Sequence, residues 1–388
     1  MKIAFIGTYP PRKCGIGVFT NNLVKAVLGN NEDQKISPKA MVVAMNDSPN
    51  CYAYPEEVKK IIQEDNLSDY IDAANFINNS DAKVCVLEHE FGIFGGNDGV
   101  YILSLLHHLE IPIIVTFHTV LKDPSYTQKL LVKEIGKKVS RIVVMSKRAV
   151  RFLTDIYQIP KQKIVIIEHG VPDYKHISKE DGKKKYGFLN QKILFTFGLL
   201  SRNKGIETVI KALPRVVEKY PNLKYIVLGA THPNVLKHSG DEYRNELERL
   251  VKSRGLEKNV CFKNEFATEE ELMEYLQTSD IYISPYLNEA QITSGTLSYA
   301  IGTGCVVVST PYWHAQELLD NNRGRLFNFR DFEQLSDLLL ELFDNPELSN
   351  EIRKNALNYG EKIHWTKIGK EYLVLAELVY EYWKKKAY

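Results

Sequence analysis

The sequence is poor in cysteine. Its five thiols, Cys14, Cys51, Cys85, Cys261 and Cys305, are odd in number, widely scattered and without CxxC spacing, which excludes a disulfide framework or a zinc site and reads as the reduced thiols of a cytoplasmic protein. No apolar run reaches membrane-spanning length. The short run Ile3 to Ile6 is soon followed by Pro10-Pro11, so it reads as a first β-strand rather than a signal peptide. Charge of one sign is also lacking. A net charge of +2 excludes a dedicated nucleic-acid binder, which needs concentrated Lys and Arg. The best basic candidate for a peripheral membrane contact is Lys384-Lys385-Lys386, and three lysines at a helix end are more commonly a solvated tip favoured by the helix dipole. There is no low-complexity tract and no short repeat.

What is present is the composition of an ordinary globular protein, 44% apolar and 25% charged, and 388 residues are too many for a single hydrophobic core. Short β-branched runs recur with helical segments between them, the pattern of parallel βαβ units. Strands are expected near Lys2–Gly7, Lys39–Ala44, Lys83–Leu87, Pro112–Phe117, Arg141–Met145 and Lys163–Ile167. A second series is expected near Lys192–Gly198, Leu223–Gly229, Asn259–Lys263, Asp280–Ser284, Cys305–Ser309 and Arg325–Asn328. Two doubly wound α/β domains follow, joined within Gly170 to Asn190, where Pro172, Gly182 and Lys183-Lys184-Lys185 interrupt the pattern. Helices are then expected over Asp331–Phe343, Pro346–Tyr359 and Thr366 to about Lys386. The last is amphipathic and needs a surface for its apolar face, which the first domain can supply. The expected domains are residues 1–172, completed by a helix over 366–388, and residues 173–365.

In open parallel sheets ligands bind at the carboxyl ends of strands, which directs attention to the loops there. Gly15 and Gly17 open a helix after the first strand and can let a diphosphate or sugar approach the backbone, although a plain tight turn fits equally. Glu88-His89-Glu90 leaves the third expected strand, either as an acceptor-binding loop or as a surface loop with one ion pair. His118 stands at the tip of a central strand, where an imidazole faces the expected cleft. Gly198 closes the first strand of the second series, and Arg202 and Lys204 beside Gly205 suit a pair of phosphates, the Arg as a fork and the Lys as a point charge, although a solvated basic turn fits equally. Ser294-Gly295-Thr296 begins a helix whose unpaired N–H groups and dipole suit an anion. As a lone feature, Ser294 would be read as a simple helix cap. Anion-suited loops in both domains point to one phosphorylated ligand.

Together these motifs resemble the retaining nucleotide-sugar glycosyltransferases of family four, whose GT-B fold has two facing Rossmann-like domains. The resemblance spans nearly the whole chain. It includes Gly15–Gly17, Thr116-Phe117-His118-Thr119, Glu168-His169-Gly170-Val171, Gly198 with Lys204-Gly205, Leu228-Gly229, Val260-Cys261-Phe262, Ser279-Asp280 with Ser284-Pro285, the strand entry at Gly304, Glu317 and His364-Trp365. Family members carry two glutamates eight positions apart. Anchoring on Gly304 puts Gln291 at the first and Tyr299 at the second, with Glu289 two residues before Gln291. The family's Arg after the strand glycine is Leu199 here, so Arg202 is expected to reach the phosphates instead.

The resemblance implies transfer of a hexose, with GDP-mannose preferred over UDP-glucose as donor, to a sugar or glycan hydroxyl with retention of configuration. The nucleotide sugar is a co-substrate and no cofactor is implied. The first domain would serve the acceptor, through Glu88, His89 and Glu90, and the second the donor. Arg202, Lys204 and the amides of Ser294 to Thr296 would stabilise the departing diphosphate. His118 would contact the transferred sugar or orient the acceptor, Gln291 or Glu289 would hold the sugar, Tyr299 would face the ribose and Phe262 would lie near the base. No Asp-x-Asp occurs, so no metal is expected. Because fold does not settle function, a sugar phosphorylase, a nucleotide-sugar epimerase and a non-catalytic sugar-nucleotide binder remain alternatives.

Overall fold

The computed structural model describes residues 1–29, 38–47, 52–231 and 240–387; Cys51 lies outside them. The chain divides into two compact units, Met1–Gly170 with Trp365–Tyr388, and Val171–His364.

The first unit is built on a seven-stranded parallel sheet of β1 (Lys2–Gly7), β2 (Lys39–Asn46), β3 (Val58–Gln63), β4 (Val84–His89), β5 (Ile113–Phe117), β6 (Arg141–Val144) and β7 (Ile164–Ile166), in the order β3-β2-β1-β4-β5-β6-β7. β1, β4 and β5 are buried almost throughout, as expected of strands covered on both faces by crossover helices. Six of the seven match the apolar runs. The sequence reading has no counterpart to β3, whose Val-Lys-Lys-Ile alternates half-buried and exposed positions before the buried Ile62 at the sheet edge, where lysines discourage further pairing.

The long last helix, Trp365–Ala387, packs on the helix Gly15–Gly29. Its Trp365, Ile368, Tyr372, Leu373, Ala376 and Val379 share one apolar cluster with Phe5, Phe19, Leu23 and Val86. Gly369 allows the close approach: a Cβ there would sit 2.5 Å from the backbone carbon of Ala26.

The second unit carries a six-stranded parallel sheet of β8 (Ile193–Phe197), β9 (Lys224–Leu228), β10 (Val260–Lys263), β11 (Ile281–Ser284), β12 (Val306–Ser309) and β13 (Arg325–Leu326), ordered β10-β9-β8-β11-β12-β13. The segment expected as a linker is folded into this unit instead. Val171 N–H donates to the Ile363 carbonyl at 2.8 Å, and Lys179–Lys185 is a helix capped by Ser178. Its basic run has a structural task. Lys179 and Lys183 reach Asp280 at 3.1 and 2.8 Å. Burial opposes ionisation of Asp280, and the two lysines outweigh it and hold the carboxyl below its ordinary range.

In each sheet the strand order reverses once, between β1 and β4 and between β8 and β11. At such switch points the two loops diverge and leave a crevice at the strands' carboxyl ends.

Candidate active site

At the switch point of the second unit, β8 runs into Gly198, with φ of 128°. The turn Arg202–Lys204 follows and is closed by Gly205 in the left-handed region. Glycine is required at 205: a Cβ would lie 2.2 Å from the Pro285 carbonyl oxygen. The two diverging loops are tied by a hydrogen bond from Leu287 N–H to the Asn203 carbonyl, 2.9 Å long.

The Lys204 ammonium lies 3.8 Å from the centre of the Tyr286 ring. The Tyr286 hydroxyl is 2.8 Å from Thr296 Oγ1. One buried phenol therefore links the cation after β8 to the first turn of the helix Gly295–Gly302. Burial pushes the Tyr286 pKa up, but the Lys204 ammonium and the hydroxyls of Thr296 and Tyr282 outweigh it and hold the phenol below its ordinary value.

The start of the helix Gly295–Gly302 is closely capped. Ser294 Oγ accepts from Leu297 N–H at 3.4 Å, and Ser294 N–H donates to His314 Nδ1 at 2.8 Å. This capping leaves the amides of Gly295 and Thr296 without an internal partner among the described residues, and the positive end of the dipole adds to them. The Thr296 methyl would be 3.6 Å from a Cβ at Gly198, so the Gly198 turn and the helix start face each other closely.

Other expected donor contacts are placed elsewhere. Arg202 does not turn to the helix start: it grips Glu246 with both terminal nitrogens at 2.6 and 2.7 Å. There it borders a cavity of about 500 Å³ with Glu207, Lys211 and Tyr243. Its guanidinium is drawn away by the carboxylates of the helix Glu242–Ser253, a partner no local motif reveals. Gln291 donates its amide to the Thr293 carbonyl at 2.6 Å. Tyr299 is buried, with its hydroxyl donating to Glu269 at 3.0 Å. Phe262 packs against the sheet core from β10. Glu289 is exposed, and its backbone carbonyl accepts from Trp313 N–H at 3.0 Å.

At the switch point of the first unit, Gly15 opens its helix and Gly17 N–H donates to Cys14 Sγ at 3.3 Å. A Cβ at Gly15 would meet nothing within 4 Å, whereas one at Gly17 would be 3.3 Å from the Arg12 carbonyl. The preceding loop is anchored by Arg12, which pairs with Asp47 and Glu64 at 3.4 Å each.

Glu88 and His89 are not loop residues. β4 continues through both, and both are fully buried. Adjacent strand residues point to opposite faces. His89 turns among Phe91, Phe94 and Phe117 with neither ring nitrogen hydrogen-bonded. Burial, then the neighbouring His118, push its pKa down to about 3. That environment corrects its assignment as an acceptor ligand. Glu88 faces the other way and meets His118 Nε2 at 2.8 Å. Glu90 caps the turn Phe91–Ile93 and accepts from the Thr119 hydroxyl at 2.6 Å. His118 follows β5 as expected, with its ring edge-on to Phe19. The sequence offers no pointer to Tyr286, His314 or Tyr372, whose partners lie 10, 20 and 256 positions away.

Two units of parallel sheet with helix-start and switch-point loops of this kind define the GT-B class of glycosyltransferase. The chain belongs to the family-four-like glycosyltransferases. The model of the glycosyl transferases group 1 matches residues 178–359, and that of glycosyltransferase family 4 matches residues 76–174. An uncharacterised glycosyltransferase of Methanocaldococcus jannaschii is 29% identical over 260 residues, covering 65% of this chain and 62% of that protein. The alpha-monoglucosyldiacylglycerol synthase of Streptococcus pneumoniae is 23% identical over 291 residues, covering 69% and 63%. These alignments thus span about three-fifths of the curated relatives' length. Among solved structures, an Anabaena protein crystallised with UDP superposes with a TM-score of 0.76 at 15% identity, over 98% of this chain and 99% of that one. The sucrose-phosphate synthase of Thermosynechococcus elongatus superposes at 0.77, also with 15% identity and the same coverage.

Proposed function

We propose that this protein transfers a hexose, mannose in preference to glucose, from a nucleoside diphosphate sugar to a sugar or glycan hydroxyl, with retention of configuration and without a bound metal. The observation that carries this reading is the triad of Lys204, Tyr286 and the free amides of Gly295 and Thr296, which gathers positive potential at one switch point. Charge develops on the distal phosphate as the bond from the anomeric carbon to its oxygen breaks. Donors already fixed in place stabilise that charge without reorganising. The new bond forms from the anomeric carbon to the acceptor oxygen on the same face, and the acceptor proton passes to the leaving phosphate. Lys204 and the two amides are the phosphate ligands. Arg202, committed to Glu246, supports the turn from behind.

The second unit is assigned to the donor and the first to the acceptor, with His118 presenting a ring nitrogen to a sugar hydroxyl. GDP-mannose as donor rests on the resemblance to mannosyl-transferring members, and a relative from Corynebacterium glutamicum is named for GDP-mannose-dependent mannosyl transfer. A cytoplasmic location follows from the same reading.

The test is a panel of GDP- and UDP-hexoses followed by thermal shift and nucleotide release with a range of sugar acceptors. GDP-mannose is expected to give the largest shift, and release is expected only with an acceptor present. No response to any donor would sink the proposal. Binding without release would favour a non-catalytic binder, the reading supported by the internal commitment of the Gln291 amide. Lys204→Ala is expected to lower turnover by about 100-fold, the scale of losing one preorganised donor at a developing anion, with thermal stability of the unliganded protein little changed.

A further inference from the structure

The buried polar chain beneath His118 is longer than a histidine–carboxylate pair. The Tyr372 hydroxyl, on the last helix of the first unit, lies 2.9 Å from Thr116 Oγ1. Thr116 in turn donates to Glu88 Oε1 at 3.4 Å, and Glu88 Oε2 meets His118 Nε2 at 2.8 Å. Every member is buried: Glu88 and Thr116 at 0% exposure, Tyr372 at 1% and His118 at 8%. The backbone makes room for it, since a Cβ on Gly7 would lie 3.1 Å from Glu88 Cβ.

We propose that Glu88 is the positioning residue of His118: by accepting from Nε2–H it fixes the tautomer in which Nδ1 carries a lone pair, and so makes Nδ1 an acceptor for a sugar hydroxyl. The inference rests on the proposed sugar-transfer reading and names the atom that reading uses. Nε2 is occupied by Glu88, which leaves Nδ1 as the ring nitrogen available to a ligand.

Proton counting gives the arrangement a second property. With Glu88 ionised and His118 neutral, the hydrogen bonds run from Tyr372 and Thr116 toward one carboxylate oxygen and from Nε2–H toward the other. Uptake of one proton has two destinations, Nδ1 itself or the Glu88 carboxyl. In the second case Glu88 must donate to Nε2, which moves the ring proton to Nδ1. Either way Nδ1 changes from acceptor to donor, and a hydroxyl that donated to it loses its partner. Burial, set against His118 and Thr116, moves the Glu88 carboxyl upward, bringing this change nearer to neutral pH. The other titratable groups facing the pair are His89 beside it in β4, His169 after β7 and Tyr372 on the last helix. Burial holds both histidines neutral, with pKa values pushed down to about 3 and about 4. They therefore add no charge beside Glu88 near neutral pH.

The experiment is Glu88→Gln in the full chain, read in two ways. Ring-nitrogen NMR of the unliganded protein follows the tautomer of His118 without any substrate. Steady-state transfer, with the donor found by the panel above, follows kcat, KM and their pH dependence. The wild type is expected to show an Nε2–H tautomer. In Glu88→Gln that preference is lost, kcat drops about tenfold or more, the scale of losing a general acid–base or positioning contact, and donor KM stays within about twofold. Glu88→Asp, which keeps the charge but shortens the reach, is expected to recover part of the loss. Thr116→Val removes one donor to Glu88 with little change of shape, and serves if Glu88→Gln fails to fold. It should raise the pH of the tautomer change. An Nδ1–H tautomer in the wild type, or unaltered His118 signals in both variants, overturns the proposal. If wild type shows the expected tautomer but transfers no sugar, the sugar-transfer reading has failed and the positioning of His118 has not.

Discussion

His89 shows how one residue's surroundings reverse the meaning of its letter. A histidine beside two carboxylates suggests a ligand, yet this ring is sealed among phenyl groups with both nitrogens unsatisfied. Its folded pKa, about 3, lies below the ordinary 6.5. As pH falls through 6.5 the unfolded chain binds a proton that the folded chain refuses, so stability is full above that value and declines below it. The decline is about 2 kcal/mol between pH 7 and pH 5, from about 1.4 kcal/mol per pH unit. Denaturant unfolding at the two pH values should show that loss in the wild type and much less of it in His89→Phe. At pH 7 the variant should match or exceed the wild type, because unpaired buried polar groups are costly. His118, Lys204 and Ser294-Gly295-Thr296 stand out in the sequence for the opposite reason: each lies where a strand, turn or helix begins or ends, a position readable without knowledge of distant partners. Arg202 stands in such a position too, but what decides its direction is Glu246, forty-four residues away.

At the scale of elements, twelve of the thirteen strands among the described residues were legible because parallel strands covered on both sides are written as unbroken apolar runs. The exceptions are instructive. β3 has lysines where an interior strand has valine, and β4 runs two residues past its apolar core into Glu88 and His89. A polar letter at the end of a buried run reads as a loop unless its cross-strand neighbour is known, and here that neighbour is β5, whose Thr116 and Phe117 pair with Glu88 and His89. The contact of the last helix with Gly15–Gly29 makes a sharper demand, because Gly369 leaves no room for a side chain against Ala26. Gly369→Val should cost about 1–3 kcal/mol, the usual range for overpacking a filled interface. Gly15→Ala, where a Cβ meets nothing, should be close to neutral. Paired thermal melts of the two variants check both, and equal losses would show that this interface yields readily.

For the whole molecule, the apolar clusters differ in what they require. Those of the second unit draw only on residues between Val171 and Ile363. The first unit's cluster takes Trp365, Ile368, Tyr372, Leu373, Ala376 and Val379 from the far end of the sequence. Burying four or five large side chains is worth about 10 kcal/mol at about 1.5–3 each, as much as the entire stability of a typical domain. A fragment of residues 171–364 should therefore fold and melt cooperatively by circular dichroism. A fragment of residues 1–170 should not, and should recover when the 365–388 peptide is added. Cooperative melting of the 1–170 fragment alone would show that the helix is an accessory.

Synthesis runs in one direction, and the closing role of the last helix turns this into a schedule. The first unit's sheet emerges first, but the surface of Phe19, Leu23 and Val27 stays uncovered while nearly two hundred further residues are made. At roughly 5–20 residues per second, that wait is on the order of ten seconds or more. The first unit is begun before the second and completed after it, and in the meantime its bare helix face is where a nascent-chain chaperone would find it.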